Sequence, residues 1–450
     1  MKKYSEYKDS KIELLGQIPR HWAIKKVKNL TIKIGSGITP KGGADVYQIS
    51  GIPLLRSQNI HFAGLRLDDV AFITKETHDS MSNSEVSEND VLLNITGASI
   101  GRCFYADKSI VPANVNQHVC ILRPNNSIEK KYLYLLLASK WGQFQIDYCQ
   151  NGANREGLNF EQIKNFIMPI PPKEERLKIT HYLEGQLFKI DSLIKNKKKM
   201  FELLKEERVS IVSQAVTKGI NPDAKMKDSG IEWLGEVPKH WDVKRIQETI
   251  LRLETGVSVN SSDEPADNNN IGVLKTSCVF GNRFVPNENK KVLKEEIPRV
   301  KCPVRKGSLI ISRMNTPALV GSCGYVIKDY PNLFLPDRLW QVIYQPQYNK
   351  YGKFLWYFIT CQRVKSWLAI IATGTSDSMK NIGQQDFLKI PIPIPSITEQ
   401  QSISSFLDQK TSQIDASINQ IEKEIALIEE FRMVLINEAL TGKVDVRGQR

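Results

Sequence analysis

The sequence predicts an α+β protein: two mixed α/β domains separated by two long helices packed as an antiparallel coiled coil, built as an internal pseudo-two-fold repeat. Three observations predict it. Apolar residues recur every three or four positions from Glu175 to Thr217 and again, 224 residues later, from Glu399 to Thr441. The segment KDSKIELLGQIPRHWAIK at residues 8–25 returns as KDSGIEWLGEVPKHWDVK at 227–244, with eleven of eighteen positions identical. Between each entry segment and each helix, short apolar runs alternate with Gly, Pro, Asn and Asp, the texture of strands and turns.

In chain order, the two entry segments come first in each half. A repeat of this length is too long for a solenoid, so it marks duplication of a whole domain with its connector. Trp22 and Trp241 are expected to be buried anchors, and His21 and His240 hydrogen-bonded residues rather than ligands. The variable regions, 32–172 and 250–395, follow. Runs such as VLLNITG, HVCILRP, SLIISRM and LWQVIY read as strands, and KKYLYLLLASKWGQFQ and YGKFLWYFITCQRVKSWL as helices. With the flanks repeated and the interiors divergent, the halves read as two modules of one build with different tasks. The expected divisions are a first domain at 1–172, a first long helix at 173–218, a second domain at 219–395, and a second long helix with its tail at 396–450.

Each helix follows a Pro-rich lead-in, MPIPP or IPIPIP, and proline cannot continue into the helix interior, so it sets the start. The first stripe holds Ile179, Leu183, Ile190, Ile194, Phe201, Leu204, Ile211 and Ala215; the second holds Ile403, Leu407, Ile414, Ile418, Ile425, Ile428, Leu435 and Ala439. Spacings of three, four and seven describe a narrow seam of the coiled-coil kind. At ~1.5 Å per residue each rod would reach ~65 Å. The copies diverge at Lys197, which stands where the second stripe has Ile421; that residue is expected to leave a wet patch, a subunit contact or a phosphate contact.

Composition bounds the function. Lys and Arg outnumber Asp and Glu by 62 to 49 in 450 residues, a surplus that suits a polyanionic partner. The N-terminus lacks an apolar leader and no apolar run is long enough for a membrane span, so a cytoplasmic protein with no membrane partner is expected. Seven scattered cysteines without a C-x-x-C pair suggest reduced, mostly buried thiols. The stretch GSGITPKGG (Gly35 to Gly43) lacks the lysine of a phosphate loop and reads as a turn-rich loop. Pro336 and Asp337 resemble the start of a nuclease carboxylate cluster, but no Glu follows before Glu399. Without H-E-x-x-H, G-x-S-x-G or a methyltransferase tetrapeptide, the modules read as binders rather than catalysts.

Reading DNA requires Arg or Lys for guanine, Asn or Gln for adenine, and polar side chains for phosphate. The first module offers Arg56, Ser57, Gln58, Asn59 and His61, then Asn94, Thr96, Ser99 and Arg102, then Asn114, Asn116, Gln117 and His118. The loop 152–159 adds Asn154 and Arg155. The second module offers Lys275, Thr276, Ser277, Asn282 and Arg283, then Arg313, Asn315 and Thr316, then Asp337 and Arg338, with Lys380 in the loop 374–381. The strongest candidates for DNA contact are Arg56, Gln58, Asn59, Asn94, Thr96, Arg102, Asn116, Gln117, Asn154, Arg155, Lys275, Thr276, Arg313, Asn315, Thr316, Arg338 and Lys380. Asn154 and Arg155 suit backbone phosphate, whereas Asp377 in the second loop does not.

Together, the two LG-x-x-P-x-HW entries, two variable modules, IPIPIP with Glu399 and Gln400, and the ending NEALTGKV resemble the specificity subunit of Type I restriction-modification enzymes. DVLLNITGASIGRC and NVNQHVCILRP resemble one class of target recognition domain; SRMNTP, LVG and LFLPDRLW resemble another. The resemblance covers essentially the whole chain. It implies a non-catalytic protein that reads a bipartite, asymmetric site in double-stranded DNA, one half with each domain, while the helices set the spacer. It further implies two modification subunits that methylate adenine and two restriction subunits that translocate and cleave, with S-adenosylmethionine, ATP and magnesium on those partners and no cofactor or metal on this chain.

Overall fold

Turn-punctuated apolar runs in the first variable region form eight strands that build two sheets: β1 (Thr31–Ser36), β2 (Ile52–Leu55), β3 (Ala71–Ile73), β4 (Glu85–Val86), β5 (Val91–Asn94), β6 (Cys103–Tyr105), β7 (Ala113–Val115) and β8 (Val119–Pro124). The first sheet, ordered β6-β5-β8-β1, is antiparallel throughout. The second, β3-β2-β7-β4, is mixed, because β7 runs parallel to β2. Strand β5 is buried along its whole length, which explains why VLLN shows no polar alternation. This computed structural model describes residues 2–150, 157–267, 269–348, 350–376 and 379–448. The chain divides into two units, Met1–Lys198 with Lys423–Arg450, and Lys199–Glu422.

Behind the sheets of the first unit, the expected helical segment is two helices, α1 (Lys130–Ala138) and α2 (Lys140–Gln150). The break falls at Ser139, whose hydroxyl accepts from Gly142 N at 3.1 Å and so begins the next helix. The lead-in to the long helix is itself a strand: Ile167–Ile170 pairs antiparallel with Ala23–Lys26 of the entry segment. Helix α3 (Lys173–Lys218) starts directly after Pro172.

The second unit repeats this plan. Its strands β9 (Ile250–Thr255), β10 (Gly272–Leu274), β11 (Asn289–Lys291), β12 (Pro303–Val304), β13 (Leu309–Ser312), β14 (Met314–Asn315), β15 (Cys323–Tyr325), β16 (Tyr330–Phe334), β17 (Leu339–Tyr344), β18 (Thr373–Ser376) and β19 (Met379–Asn381) precede helix α6. Helices α4 (Gly352–Thr360) and α5 (Gln362–Ile371) correspond to α1 and α2, with Cys361 at the break. Sheets β9-β17-β13-β15 and β11-β10-β16-β12 have the strand order of the first unit, including one parallel pair, β10 with β16. A third sheet, β14-β19-β18, is three-stranded. Helix α6 (Ile397–Leu440) follows Pro395.

The stripes face their partners as the periodicity requires. In the first unit Ile179, Leu183 and Ile190 are buried in one core with Leu435, Ile436 and Ala439 of α6. In the second, Val212, Ala215 and Val216 share a core with Ile403 and Leu407. Within the first unit the pairing is antiparallel, since Asp191 meets Arg432 at 3.0 Å while Lys197 meets Glu424. Charged pairs recur at matched places in the repeat: Asp191 with Arg432 answers Asp415 with Arg208, at 2.8 Å. Lys131 with Glu184 likewise answers Lys353 with Asp408.

Lys197 is therefore tied within its own chain, its amine on the Glu424 carboxylate. Both groups keep contact with water, so the pair adds little to stability. Lys197→Ile, which copies Ile421, is expected to move the denaturation midpoint by less than the equivalent of about 1 kcal/mol. A loss above about 2 kcal/mol in urea unfolding would show that the pair acts as a buried one.

The entry segments dock where their tryptophans predicted. Trp22 and Trp241 are fully buried. In the first unit three side chains converge on Glu175: Tyr4 OH donates at 2.7 Å, Trp22 Nε1 donates at 3.0 Å, and His21 Nε2 lies 2.7 Å from the second oxygen. Among the described residues of the second unit, Glu399 keeps His240, at 3.0 Å, and Trp241 Nε1 has no partner. In NEALTGKV, Lys443 donates to the carbonyls of Leu15 at 3.0 Å and Gln17 at 2.6 Å. The seven cysteines are free thiols, five of them buried. Among the described residues no helix is long and apolar enough to cross a membrane.

Candidate nucleic-acid interface

One close backbone approach builds the site in each unit. After β1, Gly37 lies so near β7 that a Cβ there would sit 1.6 Å from Val115 O. Only glycine lets the GSGITPKGG loop lie on the turn between β7 and β8, where Gly37 N donates to Asn116 O at 3.2 Å. In the second unit a Cβ on Gly256 would sit 1.5 Å from Leu335 O, the same juxtaposition between β9 and the β16–β17 turn.

Three loops then join through side chains in the first unit. Thr39 Oγ1 donates to Gln117 Oε1; Gln117 Nε2 faces His118 Nε2 at 3.0 Å; His118 Nδ1 faces Thr96 Oγ1 at 2.5 Å. Thr96 is also bridged by its backbone to Gly157. The predicted candidates Thr96 and Gln117 are thus brought together, with Gln117 exposed and Thr96 half-buried. A second group forms beside Asp69: Gln58 Nε2 donates to its carboxylate at 2.5 Å and an Arg56 guanidinium nitrogen to its carbonyl at 3.0 Å. Arg102 is half-buried at the end of the β5–β6 loop.

Three of the strongest candidates face inward instead. Asn59, Asn94 and Asn116 are 2%, 0% and 8% exposed. Asn59 accepts from Arg56 N and donates to Arg66 O; Asn94 donates to Ser57 O; Asn116 accepts from His118 N. Their amides hold the loops that present their neighbours, and short polar side chains do this readily in turns. Asn154, Arg155 and Asp377 lie outside the described residues.

In the second unit, Ser258 Oγ donates to Asp337 Oδ1 at 2.6 Å, in the place of Thr39 on Gln117. Arg338 is exposed, and its carbonyl accepts from Arg313 N at 3.1 Å as that of His118 accepts from Ile95 N at 3.0 Å. Arg338 thus holds the position of His118. Asn315 and Lys380 are direct cross-strand partners in β14 and β19, with Thr316 exposed alongside. Lys275 and Thr276 open a 3-10 segment, Thr276–Asn282, on a separate loop. Buried and without partners among the described residues, Arg56 Nε and Arg313 Nε leave a donor unsatisfied in each unit. Thr39, inside the GSGITPKGG loop, and Ser258 were not among the candidates; their placement by Gly37 and Gly256, each two residues before, was the available signal.

In each unit the arrangement offers hydrogen-bond donors and acceptors on loops held by two four-stranded sheets. Among the described residues no group of three or more His, Cys, Asp or Glu is placed to hold a metal ion.

A family profile described as the Type I restriction modification DNA specificity domain matches residues 19–202 and again 238–427. The chain is 26% identical to a type I restriction enzyme MjaX specificity subunit of Methanocaldococcus jannaschii, over 99% of this chain and 98% of that one. It is 22% identical to the EcoKI specificity subunit of Escherichia coli K12, over 95% and 90%. Its fold is similar to that of a chain from work on complex assembly and conformational transition of the type I R-M system, with TM-score 0.72, 15% identity, and 95% and 99% of the two chains covered. The HsdS subunit from Thermoanaerobacter tengcongensis is similar at TM-score 0.56 and 16% identity, over 95% and 98%.

Proposed function

Because this chain belongs to the Type I restriction modification DNA specificity family, we propose that it is the sequence-reading subunit of a restriction-modification complex, with no catalysis of its own. One observation carries this reading. The specificity domain occurs twice with the same sheet order, yet equivalent loop positions hold different side chains: Gln117 and His118 in one unit, Asp337 and Arg338 in the other. A scaffold with constant sheets and divergent loop tips suits two readers of two different half-sites in double-stranded DNA.

We propose further that 1–172 and 219–395 are the two target recognition domains and that 173–218 and 396–450 fix the spacer between half-sites. Arg56, Gln58, Thr96, Arg102 and Gln117 contact one half-site, and Lys275, Thr276, Arg313, Asn315, Thr316, Arg338 and Lys380 the other. Partners are two modification and two restriction subunits, which carry S-adenosylmethionine, ATP and magnesium, and the assembly works in the cytoplasm.

Sequencing the methylated motif of cells that carry the chain with its modification partner tests this. Exchanging residues 32–172 for another module is expected to change one half-site only, and lengthening both long helices is expected to change the spacer only. If both half-sites change on exchange, independent reading is wrong; an unaltered spacer in the lengthened variant sinks the ruler.

A further inference from the structure

We propose that Thr39, Gln117, His118 and Thr96 form a directional chain of hydrogen bonds that makes Thr96 a donor towards DNA, so that the base edge it meets must carry an acceptor. The inference rests on the DNA-reading function proposed above and adds the polarity of one contact. Each link limits the next. The Thr39 hydroxyl gives its single hydrogen to Gln117 Oε1. The Gln117 amide nitrogen therefore faces His118, and it donates to the imidazole Nε2 at 3.0 Å. A neutral imidazole that accepts at Nε2 carries its proton on Nδ1. Nδ1 in turn donates to Thr96 Oγ1 at 2.5 Å. With its oxygen accepting from His118 and no acceptor for its hydrogen among the described residues, Thr96 keeps its own hydroxyl hydrogen for an outside partner. The reversed chain would give the opposite result. Were the Gln117 amide turned over, the Thr96 hydrogen would be held by His118, and Thr39 would have the free donor.

Donor polarity at Thr96 selects among bases. In the major groove, purine N7, guanine O6 and thymine O4 accept, whereas adenine N6 and cytosine N4 donate. Thr96 is half-buried beside the exposed Gln117, so the base that meets one lies near the other. Among the described residues of the second unit the equivalent positions form no such relay. There Ser258 meets a carboxylate, Asp337, and the position of His118 holds Arg338, which only donates. His118 and Thr39 are thus positioning residues, acting through Thr96 and Gln117.

The test uses the full chain with its modification partner, with the methylated motif and the relative methylation of single-base variants as readouts. Thr96→Val, which keeps shape and removes the hydroxyl, is expected to relax preference at one base pair about tenfold, the scale of one hydrogen bond. Thr39→Val is expected to relax the same base pair, because the amide loses the donor that orients it, and Thr39→Ser to restore it. Preference at the half-site read by the second unit serves as the folding control and stays unchanged. The chain is refuted if the two valine variants act at different base pairs, if Thr39→Val has no effect, or if either weakens all sequences equally. If the unaltered protein directs methylation to no defined motif, the DNA-reading function fails instead.

Discussion

Glu175→Ala is expected to destabilise the first unit by about 3 kcal/mol, because it removes the acceptor of two buried donors at once. Glu175 is 6% exposed and receives Tyr4 OH, Trp22 Nε1 and the His21 ring. Burial, reinforced by the hydrogen bond to Glu175, holds the Tyr4 phenol far above its ordinary range, so it stays a neutral donor at any working pH. Truncation strands the buried phenol and indole without their acceptor. The matching change in the second unit, Glu399→Ala, is expected to lose less than about 1 kcal/mol, since His240, its side-chain partner among the described residues, is exposed. Urea unfolding of both variants measures the difference. Equal losses would show that the convergence on Glu175 contributes no more than a surface pair.

Gly37→Ala is expected to cost at least about 3 kcal/mol and to abolish recognition of the half-site read by the first unit. The atoms that an added Cβ would strike, Val115 O at 1.6 Å and Val115 C at 2.4 Å, are backbone, so no side chain can swing aside. The loop must lift, which breaks Gly37 N to Asn116 O and parts Thr39 from Gln117. Gly256→Ala should do the same to the other half-site, because Leu335 O lies 1.5 Å from its Cβ. Gly35→Ala is the control, two residues away in β1 with open space around its Cβ, and should be tolerated. Methylation of the two half-sites, read beside thermal unfolding, distinguishes the outcomes. A stable Gly37→Ala variant with its motif intact would mean that the loop does not need its close seat.

Much of the architecture was legible beforehand for reasons that are local in the chain. Two long helices are expected from apolar spacings of three, four and seven, and they begin at Lys173 and Ile397, just after Pro172 and Pro395, because proline is excluded from a helix interior. Strands such as Val91–Asn94 and Leu309–Ser312 stand where apolar runs meet turn residues. The break at Ser139 is subtler, because a serine that caps one helix looks, in sequence, like a serine inside it. The candidate interface was less legible. Nothing distinguishes Asn59 and Asn116, which face inward, from Gln58 and Gln117, which face out, until the sheets are in place. Lys197 looked like a break in the seam because its partner, Glu424, lies on the other helix.

What acts between residues a few positions apart was therefore decided in the chain itself: the duplication, the helices and strands, the buried tryptophans and the kinship that the repeated motifs carry. What acts between distant residues was decided only on folding. Thr39 reaches Gln117 across 78 positions, Asn94 reaches Ser57 across 37, and Tyr4 reaches Glu175 across 171. Whether a polar side chain ends up buried and holding a loop, as Asn94 does, or exposed at its tip, as Gln117 is, follows from the neighbours that folding brings to it. That depends on strand order and on backbone approaches as close as Gly37 to Val115, which no local pattern encodes.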